Sequence, residues 1–411
     1  HGDVTFIFVH ALVPSAIADS VRTLRRRKLH KRVATAVEKV NPHDYESLAY
    51  HFGEAGDDSQ AIKYYKLAGE RAAAAFANQD AENYFQSALD LSEAAPEQAD
   101  LLAKLGLAQA YQSENQSALE TWREAIDVFK SLNDIDRVAE LFARSTRTTW
   151  DWGDTKGSFS IAEEGLSWVE NAADGPGFAR LLAEYSRACF FNGHLDESWN
   201  FGERSLKMAE KLDLVEIQVE TLTTLALCRQ ENPEQTIEYL EKAAKLADAS
   251  NLPRQATRAY NNLAIQYLHH ESNYQKAKDQ MLKAAQIAKK VGDRDGELFY
   301  LSNLGMWELM RGHIKEVEQD LPKLKEISDL LGGEGAGKLG FDQLYHISLA
   351  TKGDFDQALD YSQTRLEGTR KFGDYQRLES ALEITILVSI IKDDPGMGMS
   401  ALEEYNQLAE N

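Results

Sequence analysis

Small residues followed by a large neighbour recur along the chain at a nearly regular interval of about 40 residues, within the range typical of repeat proteins. One clear unit contains Gly106 and, twelve positions later, Ala118, with Trp122 one helical turn further on. Small side chains at the first two positions allow two antiparallel helices to approach closely, and the large residue packs into the neighbouring unit. The pattern therefore predicts helical hairpins that stack on one another, each burying its apolar face against its neighbours.

The position of the small residue in each predicted helix, called the small position below, can be identified through most of the chain. In the second helix of each predicted hairpin it falls at Ala61, Ala81, Ala118, Ser158, Ser198, Thr236, Ala277, Val317 and Ala358. In the first helix it falls at Ala49, Gly106, Thr146, Ser186, Thr224, Ala264, Gly305 and His346. Successive second-helix positions are 20 residues apart at the start and 37 to 41 residues apart afterwards. The short first interval indicates that the opening units share or shorten a helix.

The period predicts an all-α, right-handed superhelical solenoid of about nine or ten hairpins over residues 42–411. Within it, Pro322 falls in a predicted second helix and is expected to bend it, since proline removes an amide donor and crowds the preceding turn. The pattern resembles the tetratricopeptide repeat, whose usual unit is about 34 residues. The longer units of this chain imply longer helices, a form similar to the arrays of large signal-transduction ATPases. The resemblance spans roughly residues 44–411 and implies a binding surface.

Residues 1–41 do not repeat, and we expect them to form a separate segment. Residues 5–9 are β-branched and aromatic, as in a strand, and a basic helical stretch follows. The residues that carry a second resemblance are Phe8, His10, Leu12, Arg26, Arg27 and His30. They resemble the end of the winged-helix module that joins the nucleotide-binding core to the repeat arm in signal-transduction ATPases with numerous domains, a family that includes the maltotriose-responsive transcription activator. The resemblance implies a winged-helix and linker remnant, with the nucleotide-binding core missing from this chain.

The charge balance limits the choice of partners. The chain has 66 acidic and 45 basic residues, a formal net charge of −21, so its surface is expected to repel nucleic acid. The basic cluster between Arg22 and Arg32 is an exception that is confined to that segment. Two cysteines in 411 residues predict no disulfide framework and a reducing, cytoplasmic location. No run of 18 apolar residues occurs, so the sequence predicts no membrane span.

Three short motifs have residue types used in catalysis or ligand binding. Gly332–Lys338 has the spacing of a phosphate-binding loop, but Leu339 replaces the Ser or Thr that binds magnesium, and a helix is predicted before it. We interpret it as a linker between repeats, with a phosphate loop as the alternative. Residues 269–271, His-His-Glu, diverge around one helix, which disfavours a metal site. Cys189 and Cys228 are expected to be core or groove residues. The sequence predicts no catalytic site and no cofactor.

The register identifies candidate binding residues, because the first helix of each hairpin lines the concave face of such arrays. Asn262 and Asn303 both lie two positions before the small residue, where asparagine amides can bind a peptide main chain. The other candidates on this face are Arg147, Arg187, Arg229, Trp150, Phe190, Phe191, His269, Phe299 and Met306. Arginine suits a carboxylate or phosphate, and aromatic rings supply apolar contact. The alternative is that these residues pack on the next turn of the superhelix.

The two resemblances together predict a non-catalytic sensor domain of a signalling ATPase. A peptide, protein or small-molecule inducer bound on the concave groove would favour one conformation of the arm and release the ATPase core. The alternative is a constitutive scaffold that docks a partner protein or peptide without switching anything.

Overall fold

The computed structural model describes residues 22–169, 173–229, 232–270, 272–331, 335–372 and 375–409, and divides into two compact units, His1–Ala173 and Asp174–Asn411. The first unit contains α1 (Thr23–Val40), α2 (Tyr45–Ala55), α3 (Asp58–Ala74), α4 (Asn78–Leu91), α5 (Ala95–Tyr111), α6 (Asn115–Ser131), α7 (Ile135–Asp151) and α8 (Thr155–Val169). The second contains α9 (Pro176–Phe191), α10 (Leu195–Lys211), α11 (Val215–Cys228), α12 (Pro233–Ala249), α13 (Pro253–His269), α14 (Tyr274–Lys290), α15 (Arg294–Met310), α16 (Ile314–Asp329), α17 (Ala336–Thr351), α18 (Phe355–Phe372), α19 (Tyr375–Lys392) and α20 (Pro395–Ala409).

The twenty helices of the described residues pack as ten consecutive pairs, from α1 with α2 to α19 with α20. Within each unit every pair also packs against the next one, as α2 does with α3 and α10 with α11. The predicted all-α solenoid of helical hairpins is therefore confirmed. The strand expected at residues 5–9, and with it Phe8, His10 and Leu12, lies outside the described residues, so the winged-helix remnant stays a prediction.

The small residues of the sequence pattern lie at the contacts between helices. Nearly all of them are buried, including Gly106 with Ala118, Ser186 with Ser198, and Ala264. Ser186 and Ser198 join α9 to α10 reciprocally: each hydroxyl donates to the other residue's main-chain carbonyl, at 2.7 and 2.6 Å. Two hydroxyls thus satisfy their hydrogen bonds inside the contact, which makes serine as suitable here as alanine.

The opening of the array explains the short first interval. Ala61 lies in α3 and Ala81 in α4, so the interval between them separates two adjacent helices rather than two successive pairs. The neighbouring helices are also short, with 11 residues in α2 and 14 in α4. Ala81 thus lies in the second helix of its pair, as we placed it, whereas Ala61 lies in the first helix of the same pair. The short α2 and α4 agree with the expectation of shortened helices.

Polar caps and left-handed residues end the helices where the sequence has helix breakers. Asp134, Asn232 and Asn273 each accept a hydrogen bond from the amide three residues later, which satisfies a donor that the first helical turn leaves open. Gly312 has a φ of 81°, a backbone conformation favoured by glycine, and ends the turn after α15. Helix α16 continues through Pro322, so the bend expected there stays a prediction. Among the described residues no helix is long and apolar enough to cross a membrane.

Candidate functional site

The two asparagines occupy equivalent positions in successive pairs of the second unit. Asn262 lies in α13 and Asn303 in α15, both half-buried, so part of each side chain reaches solvent. The Nδ2 group of Asn262 donates to the carbonyl of Arg258 at 2.9 Å, which turns the carboxamide along the helix and uses one of its donor positions. A carboxamide both donates and accepts, so this position in the fold suits a ligand that carries peptide groups.

Three other predicted residues share α13 and α15 with the asparagines. Phe299 precedes Asn303 by about one turn, and its ring packs edge-on against Tyr300 with centroids 5.3 Å apart. Met306 is half-buried and packs at the border of an apolar cluster that includes Leu309. His269 is exposed at the last residue of α13. At 3.6 residues per turn, Phe299, Asn303 and Met306 lie on one side of α15. We call this side of α13 and α15 the asparagine face.

The candidate binding residues of α9 do not all reach the surface, because Arg187 is buried. Its guanidinium carbon lies 5.7 Å from the centre of the Phe191 ring, and Phe191 packs edge-on against Phe190 at 5.2 Å. Phe191 keeps 40% of its surface exposed. An aromatic ring therefore forms the surface at the end of α9, and the arginine charge predicted to clamp a ligand lies beneath that surface.

Arg229 contacts a second helix rather than the asparagine face. It follows α11, its guanidinium carbon lies 5.0 Å from the Trp199 ring centre, and its Nη2 lies 3.4 Å from the Asp196 carboxylate. Trp199 and Asp196 both belong to α10. The last two predicted residues, Arg147 and Trp150, are half-buried in α7 and belong to the first unit.

A polar network that the sequence interpretation missed joins the starts of three first helices. Arg180 of α9 donates to Glu216 of α11 at 3.0 Å, and Gln255 of α13 donates to the other oxygen of the same carboxylate at 3.0 Å. Burial alone lowers the pKa of Arg180, but the hydrogen bond and charge of Glu216 outweigh it and raise the pKa. The residues are 36 and 39 positions apart, so the repeat register contained the signal that could have identified them.

A further feature missed from the sequence is a cavity of about 730 Å³ between α14, α15 and α16, lined also by Leu344 of α17. At its polar end the Nζ of Lys278 donates to Glu308 at 2.7 Å, and Nδ1 of His313 lies 2.6 Å from the second carboxylate oxygen. A carboxylate only accepts hydrogen bonds, so His313 carries a proton on Nδ1. The Arg311 guanidinium lies 3.9 Å from the ring centre of Tyr274. Charged and aromatic groups therefore converge inside a pocket of the size that holds small molecules.

The environment of Glu308 keeps its carboxylate charged at neutral pH. Burial raises its pKa, but hydrogen bonds from Lys278 and its other neighbours outweigh burial and lower the pKa to about 2. The pKa of Tyr274 moves upward, first because the hydroxyl is buried and then because the Glu308 carboxylate is adjacent. The side chain of Glu308 is 12% exposed and that of Lys278 is 34% exposed, so the ion pair is partly shielded from water.

Acid titration should reveal the Glu308 interaction. Its pKa is about 2 when folded and near 4.5 otherwise, so the carboxylate stabilises the fold above pH 4.5, and this contribution is lost as the pH falls towards 2. We expect the difference in unfolding free energy between the wild type and Glu308→Gln to shrink by about 2 kcal/mol between pH 7 and pH 3. Urea titrations at several pH values measure it, and a difference that does not change with pH contradicts the assignment.

Where the structure describes the remaining motifs, their residues form no recognisable ligand site. Residues 332–334 of the glycine-rich stretch lie outside the described residues, but helix α16 precedes the stretch and α17 begins within it, at Ala336. An Asp295 oxygen accepts from the amides of Gly337 and Lys338 at 3.1 and 3.3 Å, so a carboxylate of the chain already lies where a bound phosphate would have to sit. This arrangement supports the linker interpretation.

The His-His-Glu motif and the two cysteines were not expected to bind a metal ion. His269 and His270 are exposed, Glu271 lies outside the described residues, and in the described part of the chain no three metal-ligating side chains converge. Cys189 and Cys228 are buried, as expected of core residues, and the Cys228 sulfur lies 2.9 Å from the Ser198 hydroxyl.

Comparison with solved structures places this fold among repeat proteins. The chain is similar to the Rap protein complexed with Competence and Sporulation Factor, with a TM-score of 0.51 and 14% identity over 90% of this chain and 98% of that one. It is similar to the apo form of the quorum sensor NprR from B. thuringiensis, with a TM-score of 0.52 and 14% identity over 77% and 91%. The tetratricopeptide-repeat sensor protein of the signal-transduction ATPase class from Pyrococcus horikoshii scores 0.46 at 15% identity, covering 98% of this chain and 56% of that one.

No protein-family model matches the chain, and no curated protein matches it in sequence. At 14% identity, the likeness to Rap and NprR establishes the fold alone. The chain thus has a tetratricopeptide-like helical-solenoid fold. The score of the Pyrococcus protein is too low to favour one class of signalling protein.

Proposed function

We propose that the asparagine face binds an extended peptide and that the chain is the non-catalytic sensor arm of a signalling ATPase. The observation that carries the peptide assignment is the repetition of asparagine at positions 262 and 303, half-buried and equivalent in successive pairs. Each carboxamide offers a donor and an acceptor to one peptide group, and successive pairs would bind successive stretches of main chain. Phe299 and Met306 add apolar contact beside Asn303.

Two further observations support this choice. The Rap protein, which shares the fold, is described in complex with Competence and Sporulation Factor, and NprR is described as a quorum sensor. The order of the Phe8–Leu12 and Arg26–His30 motifs, the second of which lies in α1, supports the signalling-ATPase arm. In that mechanism the peptide prefers one conformation of the arm and shifts its population. The cytoplasmic location belongs to the same proposal.

Replacing both asparagines should remove the main-chain contacts. A library of short random peptides displayed on phage is selected against the chain, and the enriched peptide is synthesised for fluorescence anisotropy. We expect Asn262→Ala with Asn303→Ala to weaken its binding by about 30-fold or more, since each lost amide contact costs about 1 kcal/mol. The matched control is Asn200→Ala, an exposed asparagine of the second helix α10, which should leave the affinity unchanged.

A chemical control separates main-chain from side-chain recognition. N-methylation of the peptide removes one amide donor at a time, and at one or two positions it should weaken binding to the wild type but not to the double variant. Failure to enrich any peptide, or equal binding by the double variant and the wild type, refutes the peptide site.

The scaffold alternative is tested on the full-length gene product. A sensor arm requires that the selected peptide change the size of ATP-dependent assemblies, measured by light scattering with and without peptide. A scaffold binds its partner without such a change. This measurement decides the switching role even when the peptide site itself is confirmed.

A further inference from the structure

The cavity beside Glu308 and the asparagine face lie on opposite sides of α15. Successive residues of a helix are rotated by about 100°, so residues three, four or seven apart share a side. Leu301, Gly305 and Glu308 line the cavity, whereas Phe299 and Asn303 lie roughly half a turn away. A ligand in the cavity therefore does not occupy the peptide site proposed above.

A comparison with the preceding pair explains why the cavity exists. Tyr267 is equivalent to Glu308, and Ile237 is equivalent to Lys278, each 41 positions earlier in the register. Tyr267 is 6% exposed and fills the space between α12, α13 and α14 in an apolar cluster against which Ile237 packs. In the next pair a shorter carboxylate and a lysine replace them, and the corresponding space stays open.

The Lys278–Glu308 ion pair stabilises this part of the fold less than apolar side chains would. Taking two charges out of water costs free energy that an aromatic ring and an aliphatic side chain would not, and the preceding pair shows that this backbone accepts the apolar solution. Half-buried charged groups beside a cavity are typical of ligand sites. We therefore expect Lys278 and its neighbours to contact a ligand.

The walls define the ligand's chemistry. The apolar lining comprises Leu282, Leu301, Leu304, Val317, Leu324 and Leu344. At the polar end, Lys278 has three donors, of which one bonds to Glu308, and Arg311 presents the donors at its guanidinium edge while its face lies on Tyr274. Lys278 and Arg311 outnumber Glu308 there. The side chains at positions 316, 320 and 323 also line the cavity; they are exposed, as Arg311 is, so water screens the charges of all four. Lys278 and Arg311 are set apart by their position, because both contact the ring of Tyr274.

We propose that this cavity binds a small carboxylic acid with an apolar body. Its carboxylate is held between the ammonium of Lys278 and the edge of the Arg311 guanidinium, a charge-assisted arrangement that can be bidentate at arginine. Its hydrocarbon part lies along the leucine walls. Glu308 does not bind the acid but positions Lys278 by accepting its hydrogen bond.

Calorimetric titration of the full chain with four probes tests this assignment. Decanoate should bind, and octanoate should bind about 15-fold more weakly, because each buried methylene is worth about 0.8 kcal/mol. Decanol lacks the carboxylate and should bind at least about tenfold more weakly than decanoate. Decyltrimethylammonium has the opposite charge and should not bind. Absence of decanoate binding, or preference for the alcohol or the cation, overturns the proposal.

Two variants locate the site. Lys278→Ile with Glu308→Tyr copies the side chains of the preceding pair, fills the cavity and removes both charges together, so no lone charge is buried. It should abolish decanoate binding and raise the melting temperature of the unliganded protein. Arg311 is exposed, so Arg311→Gln should leave the fold intact while weakening decanoate about tenfold and leaving decanol unchanged. Undiminished decanoate binding by either variant places the acid elsewhere.

Asn303→Ala is the matched control on the opposite side of α15. It should leave decanoate affinity unchanged, whereas the cavity variants should leave binding of the selected peptide unchanged. The two sites can thus succeed or fail separately. Loss of decanoate binding in Asn303→Ala would show that the acid occupies the asparagine face, against this assignment.

Discussion

Replacement of Trp122 by alanine is expected to lower the free energy of unfolding by about 4 kcal/mol, the largest single effect predicted here. Trp122 is 1% exposed, lies in α6 and packs against α5, and its indole Nε1 donates to the carbonyl of Ala103 at 3.1 Å. Truncation removes the apolar contact, leaves a cavity and strands one main-chain acceptor. Urea unfolding followed by circular dichroism measures the change.

Trp152→Ala is the control for this experiment. Trp152 is 57% exposed at the end of α7, in the same unit, so its loss should change stability by no more than about 0.5 kcal/mol. Because each repeat contacts only its neighbours, hydrogen exchange in Trp122→Ala should accelerate first in α5 and α6 and least in α13 and α14. Equal effects of the two tryptophan replacements would contradict the predicted register.

Gly106→Val is expected to destabilise the protein by about 3 kcal/mol, at the upper end of the usual cost of overpacking. A Cβ atom added to Gly106 would lie 2.5 Å from the indole nitrogen of Trp122 and 2.6 Å from the neighbouring ring carbon. The ring is buried and hydrogen-bonded, so it cannot move aside without losing contacts elsewhere. A β-branched side chain also loses rotamer freedom in a helix. The free energy of unfolding in urea measures the outcome.

Gly53→Ala is the matched control for the glycine experiment. Its added Cβ would meet Tyr65 at 3.5 Å and Ala61 at 3.9 Å, which are ordinary contacts, and alanine favours a helix more than glycine does. We expect no loss of stability and a gain of up to about 1 kcal/mol. If Gly106→Val changes the free energy of unfolding no more than this control does, the close approach of the two helices at Gly106 is not what stabilises their pairing.

These two experiments concern a contact that the sequence predicts well. Gly106, Ala118 and Trp122 lie close together in the chain, and the need for a small residue opposite a large one is a steric rule. Helix pairing between neighbours in the chain depends on such short-range patterns, which is why the order of helices and the buried small positions agree with the structure. The prediction was less accurate for the first pairs of helices. There the interval between small residues is about half the usual length, and the pattern alone does not show whether it separates two adjacent helices or two adjacent pairs.

The candidate site was predicted less completely. The register correctly identifies Asn262 and Asn303 as equivalent positions, because equivalence follows from the period alone. It does not reveal that Arg187 is buried beneath Phe191 or that Arg229 packs on Trp199. A long arginine side chain can reach several neighbouring residues. Which of them it contacts depends on local packing and charge rather than on its position along the helix.

The sequence by itself determined the stacked helical pairs, their register and the residues that the register makes equivalent, since each pair is stabilised by neighbours close in the chain. Only the tertiary structure decided what happens where side chains from three helices meet. Tyr267 fills that space in one pair, while Glu308 and Lys278 leave it open in the next. Whether a cavity forms depends on the combined volume of all the side chains around it. Those side chains come from several helices, so a repeat pattern along the chain does not show their combined volume.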